Sequence, residues 1–309
     1  MNVQTIIVTW NQTEITQRCL QSLEKADFPM AHVWLVDNAS QPPALPILQQ
    51  AFPEIQGLRL EVNRGFAGGC NAGVAQAIMR FPETEAVFLL NNDAEVEEQS
   101  LAYLIQALEA EPKIAAVSPT VYYAGSERVI QSTGLSVDVN SGQARMLNAA
   151  PPVQAQAAVE REALFGCAML IRLKAWQATQ GFWEPFFNYA EEVDWCLRVR
   201  RLGWKLLYVP QAVVWHTTSR SLGWNSPLKV YLIARNQWWL RRRHQRGGLA
   251  GLRGLMYMQY VLLRMALGSI RQGQHRHALA LWLATWDYWR GVTGDARGQD
   301  LRRQERPEI

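Results

Sequence analysis

The chain has 309 residues, 49% of them hydrophobic and 19% charged, enough to bury one large core or two modest ones and too apolar for a disordered protein. A net charge of +4 hides an asymmetry: residues 1–219 hold 15 Lys and Arg against 22 Asp and Glu, whereas residues 220–309 hold 16 against 5. Cys19, Cys70, Cys167 and Cys196 form no close pair, which argues against a disulfide framework or a zinc site and fits a reducing cytosol.

The opening residues have no basic n-region and no long apolar stretch, so no signal peptide is expected. From there to residue 120 short β-branched runs alternate with helical patterns. Strands are expected at 5–9, 32–36, 58–62, 86–90 and 115–117, and helices at 14–25, 43–51, 68–81 and 98–110. This rhythm implies βαβ units and a doubly wound, largely parallel α/β sheet, with ligands at the carboxyl ends of the strands. Those ends carry Thr9-Trp10-Asn11, Asp37-Asn38, Asn63-Arg64-Gly65-Phe66 and Asn91-Asn92-Asp93, a concentration of polar groups on one edge.

The Gly65-to-Gly73 run follows a strand and opens a helix. Its backbone could approach a phosphate or simply pack tightly; the spacing matches neither a P-loop nor G-x-G-x-x-G. Asp93, leaving a buried strand, suits Mg²⁺ or Mn²⁺ on a diphosphate, with an Asx turn or helix cap as the competing role. Further on, residues 128–147 read as a strand pair, 149–159 as a mobile loop, and 163–171 as an apolar strand containing Gly166. Glu191, Glu192 and Asp194 then set three carboxylates at a helix start, with Glu191 and Asp194 on one face and Glu192 about 100° away. Such crowding asks for a metal, a cation or a proton in transit, or else exploits the helix dipole. Strands at 205–209 and 213–216 bring His216 to a strand end, where it is either a metal ligand beside a carboxylate or a core histidine.

Together, Thr9-Trp10-Asn11, Asp37-Asn38, Asn63 through Gly69, Asn91-Asn92-Asp93, Gly166-Cys167, Glu191-Glu192-Val193-Asp194 and Trp215-His216 resemble a family 2 glycosyltransferase of the GT-A fold, in its rhamnosyltransferase-like branch, over about residues 3–245. The resemblance implies a GT-A domain at 1–222, divided into a nucleotide-binding half (1–120) and an acceptor-binding half (121–222). A basic, aromatic-rich helical extension follows at 223–309. It implies an inverting transfer of a sugar, rhamnose by the branch, from a nucleotide-sugar donor to a saccharide or lipid-linked acceptor of the cell envelope. Thr9, Asn11, Asp37, Asn38, Asn63, Gly65, Phe66, Gly68, Asn71, Asn91, Asn92 and Asp93 would bind the donor nucleotide, and Gly166, Glu191, Asp194, Trp195 and Arg198 the acceptor. Asp93 and His216 would hold Mn²⁺ or Mg²⁺, and Glu192, at the position where the family has Asp, would be the catalytic base. Asn91 replaces the first acidic residue of the metal motif and reduces the site's charge.

The basic run Arg241-Arg242-Arg243-His244-Gln245-Arg246 beside Trp238-Trp239, with Trp282, Trp286, Tyr288 and Trp289 later, fits either an anionic membrane surface or a helical cap on the catalytic domain. Nucleic acid is not expected, because the flanking residues are too apolar. The expected location is the cytoplasm, peripheral on the inner face of the plasma membrane where the tail meets lipid and not the catalytic domain. Two other readings remain: a glycan- or membrane-binding protein on a decayed scaffold, favoured only by Asn91, and a sugar-phosphate nucleotidyltransferase, which lacks its Arg/Lys-bearing glycine loop near residues 6–16.

Overall fold

The structure, a computed structural model, describes residues 1–149, 157–217, 226–245, 247–297 and 301. The first half runs β1 (Val3–Thr9), α1 (Thr13–Lys25), β2 (Val33–Asp37), α2 (Leu45–Ala51), β3 (Gln56–Arg59), α3 (Gly65–Arg80), β4 (Ala86–Asn91), β5 (Ala94–Val96), α4 (Ser100–Glu109) and β6 (Ile114–Tyr123). There follow β7 (Ile130–Ser132), β8 (Leu135–Asp138), β9 (Gln143–Met146), β10 (Val159–Glu160), β11 (Ala168–Arg172), α5 (Leu173–Thr179), α6 (Glu191–Arg201) and β12 (Lys205–His216). Helices α7 (Pro227–His244), α8 (Gly248–Arg271) and α9 (His275–Trp289) close the chain.

The main sheet has the order β10-β12-β6-β11-β4-β1-β2-β3. Strands β3, β2, β1 and β4 are parallel neighbours, and β1 and β2 are buried along their whole length, as strands covered on both faces are. Strand β11 is antiparallel to both β4 and β6, and β12 rejoins parallel to β6, which makes the sheet mixed. Alternation along β1 sends Ile6 and Val8 into a core with α3, α5 and α6, and Val3 and Ile7 into a second core with α1, α2 and α4.

The glycine run of α3 is explained by packing. A methyl on Gly69 would lie 2.6 Å from Val8 Cγ1, and one on Gly73 would lie 2.6 Å from Ile6 Cγ2, so these glycines let the helix sit directly on β1.

Several boundaries differ from expectation. Strand β3 ends at Arg59 rather than 62, and α3 begins at Gly65, three residues early, because Asn63 Oδ1 accepts from Gly65 N–H (2.8 Å) and φ is +70° there. Strand β11 covers only Ala168–Arg172, since Phe165 and Gly166 leave the sheet to line a cavity. The strands expected at 205–209 and 213–216 are one strand, β12, with irregular pairing between Val209 and Val213 around Pro210, which has no N–H to donate. Residues 150–156 of the expected mobile loop and the expected boundary at 222/223 lie outside the described residues.

Helix α7 clamps the tail onto the sheet domain. Arg243 and His244 reach the buried Asp194 of α6 at 2.6 and 2.7 Å, and buried Arg241 donates to the carbonyls of Asn140 and Gly251. Trp238 is buried and stacks on Tyr288 with ring centroids 5.1 Å apart. The basic run beside Trp238 is therefore largely a clamp against the sheet domain, not a lipid-facing stripe; Arg242 is exposed over Trp239, and Arg246 lies outside the described residues. Among the described residues no helix is long and apolar enough to cross a membrane.

Candidate active site

A cavity opens at the carboxyl edge of β1, β2 and β4. One wall carries Asp93 and His216. The three-residue strand β5 makes this pair: it lies antiparallel to β12 with Ala94 opposite His216, while Thr217 N–H donates to the Asp93 carbonyl (2.9 Å). Asp93 Oδ1 and His216 Nε2 consequently stand 3.0 Å apart, with both side chains nearly buried. On the other side of the ring, Nδ1–H donates to Gln131 Oε1 (2.9 Å), fixing the ring so that Nε2 faces Asp93. Asn91 Nδ2 lies 3.4 Å from the same Nε2. Burial alone would lower the His216 pKa, but Cys167 and Asp93 beside the ring outweigh it and push it up to about 10.

A carboxylate oxygen and an imidazole nitrogen at this separation suit Mn²⁺ or Mg²⁺. Among the described residues no cluster of three His, Cys, Asp or Glu side chains surrounds one point, so an ion here would complete its shell with ligand oxygens or water.

The same cavity is also lined by Glu191 and Glu192. Helix α6 starts from Ala190 at φ +75°, and both glutamates of its first turn face the cavity. Each has a buried Oε2 without a hydrogen-bond partner. Burial pushes the Glu191 carboxyl well above the usual range, with the neighbouring Glu192 charge adding to the shift. Burial likewise raises Glu192 to about 6, against backbone N–H groups at the helix start that lower it. A buried, unpartnered carboxylate oxygen with a raised pKa has the chemistry to accept a proton. Gly166 makes room for it: a methyl there would lie 3.1 Å from Glu192 Cγ.

Asp194 is turned away, against the expectation that it shares a face with Glu191. It is fully buried and accepts from Arg198 (2.7 Å), Arg243 (2.6 Å) and His244 (2.7 Å). Trp195 packs in the core and Arg198 Nη2 caps the Gly181 carbonyl, so neither lines the cavity; the helix has one open end and these residues lie beyond it.

Of the residues expected to hold a nucleotide, Asn38, Asn63, Gly65, Phe66, Asn91, Asn92 and Asp93 meet in the cavity. The first N–H groups of α3 are already used, since Gly65 donates to Asn63 Oδ1, Phe66 to Asn188 Oδ1 and Ala67 to the Phe187 carbonyl, leaving that turn no phosphate cradle. Asp37 lies below the cavity, accepting from the backbone of Ser40, Ala44 and Leu45 and pairing with Arg59 (2.5 Å). Burial would raise its pKa, and these hydrogen bonds hold it below the usual value. Thr9 bonds Thr16 (2.8 Å), Asn11 Oδ1 accepts from Gln41 N–H, Gly68 packs against Arg64, and Asn71 bridges to Phe182 and Glu184. None of these four lines the cavity.

Other contributors were not among the expected site residues. Trp10 and Gln12 line the cavity where Thr9 and Asn11 were expected to, since Thr9 is held by Thr16 and Asn11 by the Gln41 N–H. Residues 187–190 include Phe187, Tyr189 and Ala190 at φ of 68°, 70° and 75°, a costly backbone for side-chain-bearing residues. Helix α7 holds it: Asn236 Nδ2 donates to the carbonyls of Phe186, Asn188 and Tyr189, and Arg235 adds a bond to Phe186. The resulting loop presents Phe187, Asn188 and Tyr189 to the cavity.

Residues 2–239 match the family model described as glycosyltransferase like family 2. The chain is 24% identical over 301 residues to N-acetylglucosaminyl-diphospho-decaprenol L-rhamnosyltransferase of Mycobacterium tuberculosis, covering 88% of this chain and 98% of the relative. Among solved structures it resembles GalNAc-T7 bound to UDP, GalNAc and Mn²⁺, with a TM-score of 0.62 and 17% identity over 78% of this chain, which spans about half (48%) of that structure. It also resembles the mannosyltransferase PcManGT of Pyrobaculum calidifontis with GDP-Man and Mn²⁺, with a TM-score of 0.56 and 15% identity, covering 93% of this chain and 87% of the other. At these identities the structural likenesses establish the GT-A type of α/β fold.

Proposed function

The chain belongs to glycosyltransferase like family 2, and from that membership and its cavity we propose that it moves a sugar, rhamnose by likeness to the mycobacterial relative, with inversion, from a nucleotide-sugar onto a hydroxyl of a saccharide or lipid-linked acceptor. The observation that supports this most is the sharing of one cavity by the Asp93–His216 pair and the unpartnered Glu192 Oε2.

Asp93 and His216 would hold Mn²⁺ or Mg²⁺, which supplies positive charge against the donor diphosphate. Asn38, Asn63, Gly65, Phe66, Asn91 and Asn92 form the wall against which the nucleoside end lies; Asn91 leaves the site less negative and can still hydrogen-bond. Asp37, Thr9, Asn11, Gly68 and Asn71 shape that wall from behind. On the acceptor side, Glu191, Gly166 and Tyr189 border the incoming hydroxyl, while Asp194, Trp195 and Arg198 anchor the helix that carries Glu192.

Glu192 takes the proton of the acceptor hydroxyl as its oxygen bonds to the anomeric carbon. The bond from that carbon to the diphosphate oxygen breaks in the same displacement, and its electron pair leaves with the nucleoside diphosphate. No covalent enzyme intermediate forms. NMR of the product therefore shows the anomeric configuration opposite to the donor's; retained configuration would overturn the proposal.

Gln131 fixes the cation-facing nitrogen of His216 without touching substrate. Gln131→Leu is expected to raise the Mn²⁺ concentration for half-maximal transfer by about 10–100-fold, the usual effect of losing such an outer partner. Activity at saturating Mn²⁺ recovers, which separates this role from a general loss of structure.

A further inference from the structure

Helices α8 and α9 are apolar on two opposite faces, which a helix at the surface of a water-soluble body has no reason to be. Their inner faces make a core with α7: Met258 and Leu262 of α8 meet Ala280, Leu281, Ala284 and Tyr288 of α9. Their outer faces are not covered by any described residue. Along α8, Leu252, Met256, Tyr260, Leu263, Leu267 and Ile270 recur at spacings of three and four and are all exposed, Met256 by 63% and Leu263 by 60%. At 1.5 Å per residue that stripe is about 27 Å long. Along α9 the same spacing exposes Leu279, Trp282, Trp286 and Trp289, the last by 67%, and Trp282 and Trp286 stack in parallel with centroids 5.8 Å apart. Apolar surface of this extent marks a place of contact, not ordinary solvent-facing surface.

The charges select the partner. Arg253, Arg264 and Arg271 are exposed along one edge of the α8 stripe. Between His244 and Gly294 the sequence has a single acidic residue, Asp287, which is fully buried against Arg297 and Tyr231. A second copy of the chain docking by this face would bring arginines against arginines with no carboxylate to meet them. An anionic bilayer offers headgroup charge to the arginines, acyl chains to the leucines and the interfacial zone that tryptophan prefers.

We propose that the outward faces of α8 and α9 form an interfacial docking surface that lies on an anionic membrane, with the Arg253–Arg264–Arg271 edge at the phosphates and the Leu263 and Trp286 stripes in the acyl boundary. The helices lie in the plane of the membrane, since neither is apolar enough to span it. Binding requires nothing of the active site, so it holds or fails independently of sugar transfer.

The test is co-flotation of the full chain with phosphatidylcholine vesicles with and without phosphatidylglycerol, at low and high salt. The full chain floats with the phosphatidylglycerol vesicles, more weakly at high salt. The double substitution Leu263→Glu and Trp286→Glu reduces partitioning by about 100-fold, from lost apolar burial at two sites. The triple substitution of Arg253, Arg264 and Arg271 by Gln reduces it by about 100-fold on phosphatidylglycerol vesicles only. Both variants alter exposed side chains, and an unchanged Tm shows that they fold. Absence of flotation at low salt, or flotation indifferent to both variants, overturns the proposal. So does light scattering that shows a dimer dissolved by Leu263→Glu and Trp286→Glu, which would assign the surface to a second copy.

Discussion

Glu192→Gln is expected to lower the transfer rate by about 10²–10⁴-fold, the range for loss of a general base, while donor affinity is unchanged. Gln keeps the volume that fits against Gly166 but cannot take the acceptor's proton. A variant retaining more than about a tenth of wild-type turnover would contradict the role. The pH profile gives a second readout. Glu192 is raised to about 6 by burial, beside a Glu191 raised further, so wild-type kcat/KM rises as pH climbs through about 6, with an apparent value belonging to the pair. Glu192→Gln loses or shifts that limb. The stability sign is the reverse: a raised carboxyl pKa favours the folded state at low pH, and that contribution is lost as pH rises through about 6. The site thus trades stability for a charged base at neutrality.

Asp194→Ala is expected to destabilise the fold by about 3–5 kcal/mol, the usual cost of stripping a buried carboxylate from its cations. That is a large share of a typical total of about 5–15 kcal/mol. Arg198, Arg243 and His244 all converge on this carboxylate, and two of them come from α7, so the substitution also loosens the helix whose Asn236 holds the 187–190 loop at the cavity. Urea denaturation of the variant measures the loss; a change below about 1 kcal/mol would mean that the cluster is a bystander. Burial by itself would raise the Asp194 pKa, but hydrogen bonds from His244 and Arg243 and the charge of Arg198 hold it at about 2. Its contribution is therefore complete above the unfolded value near 4 and disappears as pH falls through about 2.

The parallel half of the sheet was legible because strands covered on both faces carry short unbroken apolar runs, here Ile6–Val8 of β1, Val33–Val36 of β2 and Ala86–Leu90 of β4. Asp93 and His216 were legible as polar groups placed where strands end, and Glu192 as one placed where a helix begins. What local pattern could not convey was direction and long-range contact. Helical spacing put Glu191 and Asp194 on one face, yet in the first turn of α6 both glutamates reach the cavity, while Asp194 is drawn to cations nearly 50 positions away. The glycine run reads the same whether a helix meets phosphate or a strand, and only the approach of Val8 and Ile6 decides for the strand. Gln131 and Asn236 act through pairings across 85 and 48 positions that leave no local trace. For the basic run beside Trp238 local pattern left a membrane surface and a helical cap both open; Arg241, Arg243 and His244 turn inward as a cap would, and the exposed apolar stripes lie on α8 and α9.

The division of labour across the cavity, with a cation wall at Asp93 and a base wall at Glu192, is tested most directly by thermal unfolding with a nucleoside diphosphate, with and without Mn²⁺. A ligand that binds only the folded state raises its Tm. In wild type and in Glu192→Gln the expected result is a nucleotide-induced rise that depends on Mn²⁺, and in Asp93→Ala that dependence is gone. A Mn²⁺-dependent rise surviving in Asp93→Ala, or one lost in Glu192→Gln, would contradict it.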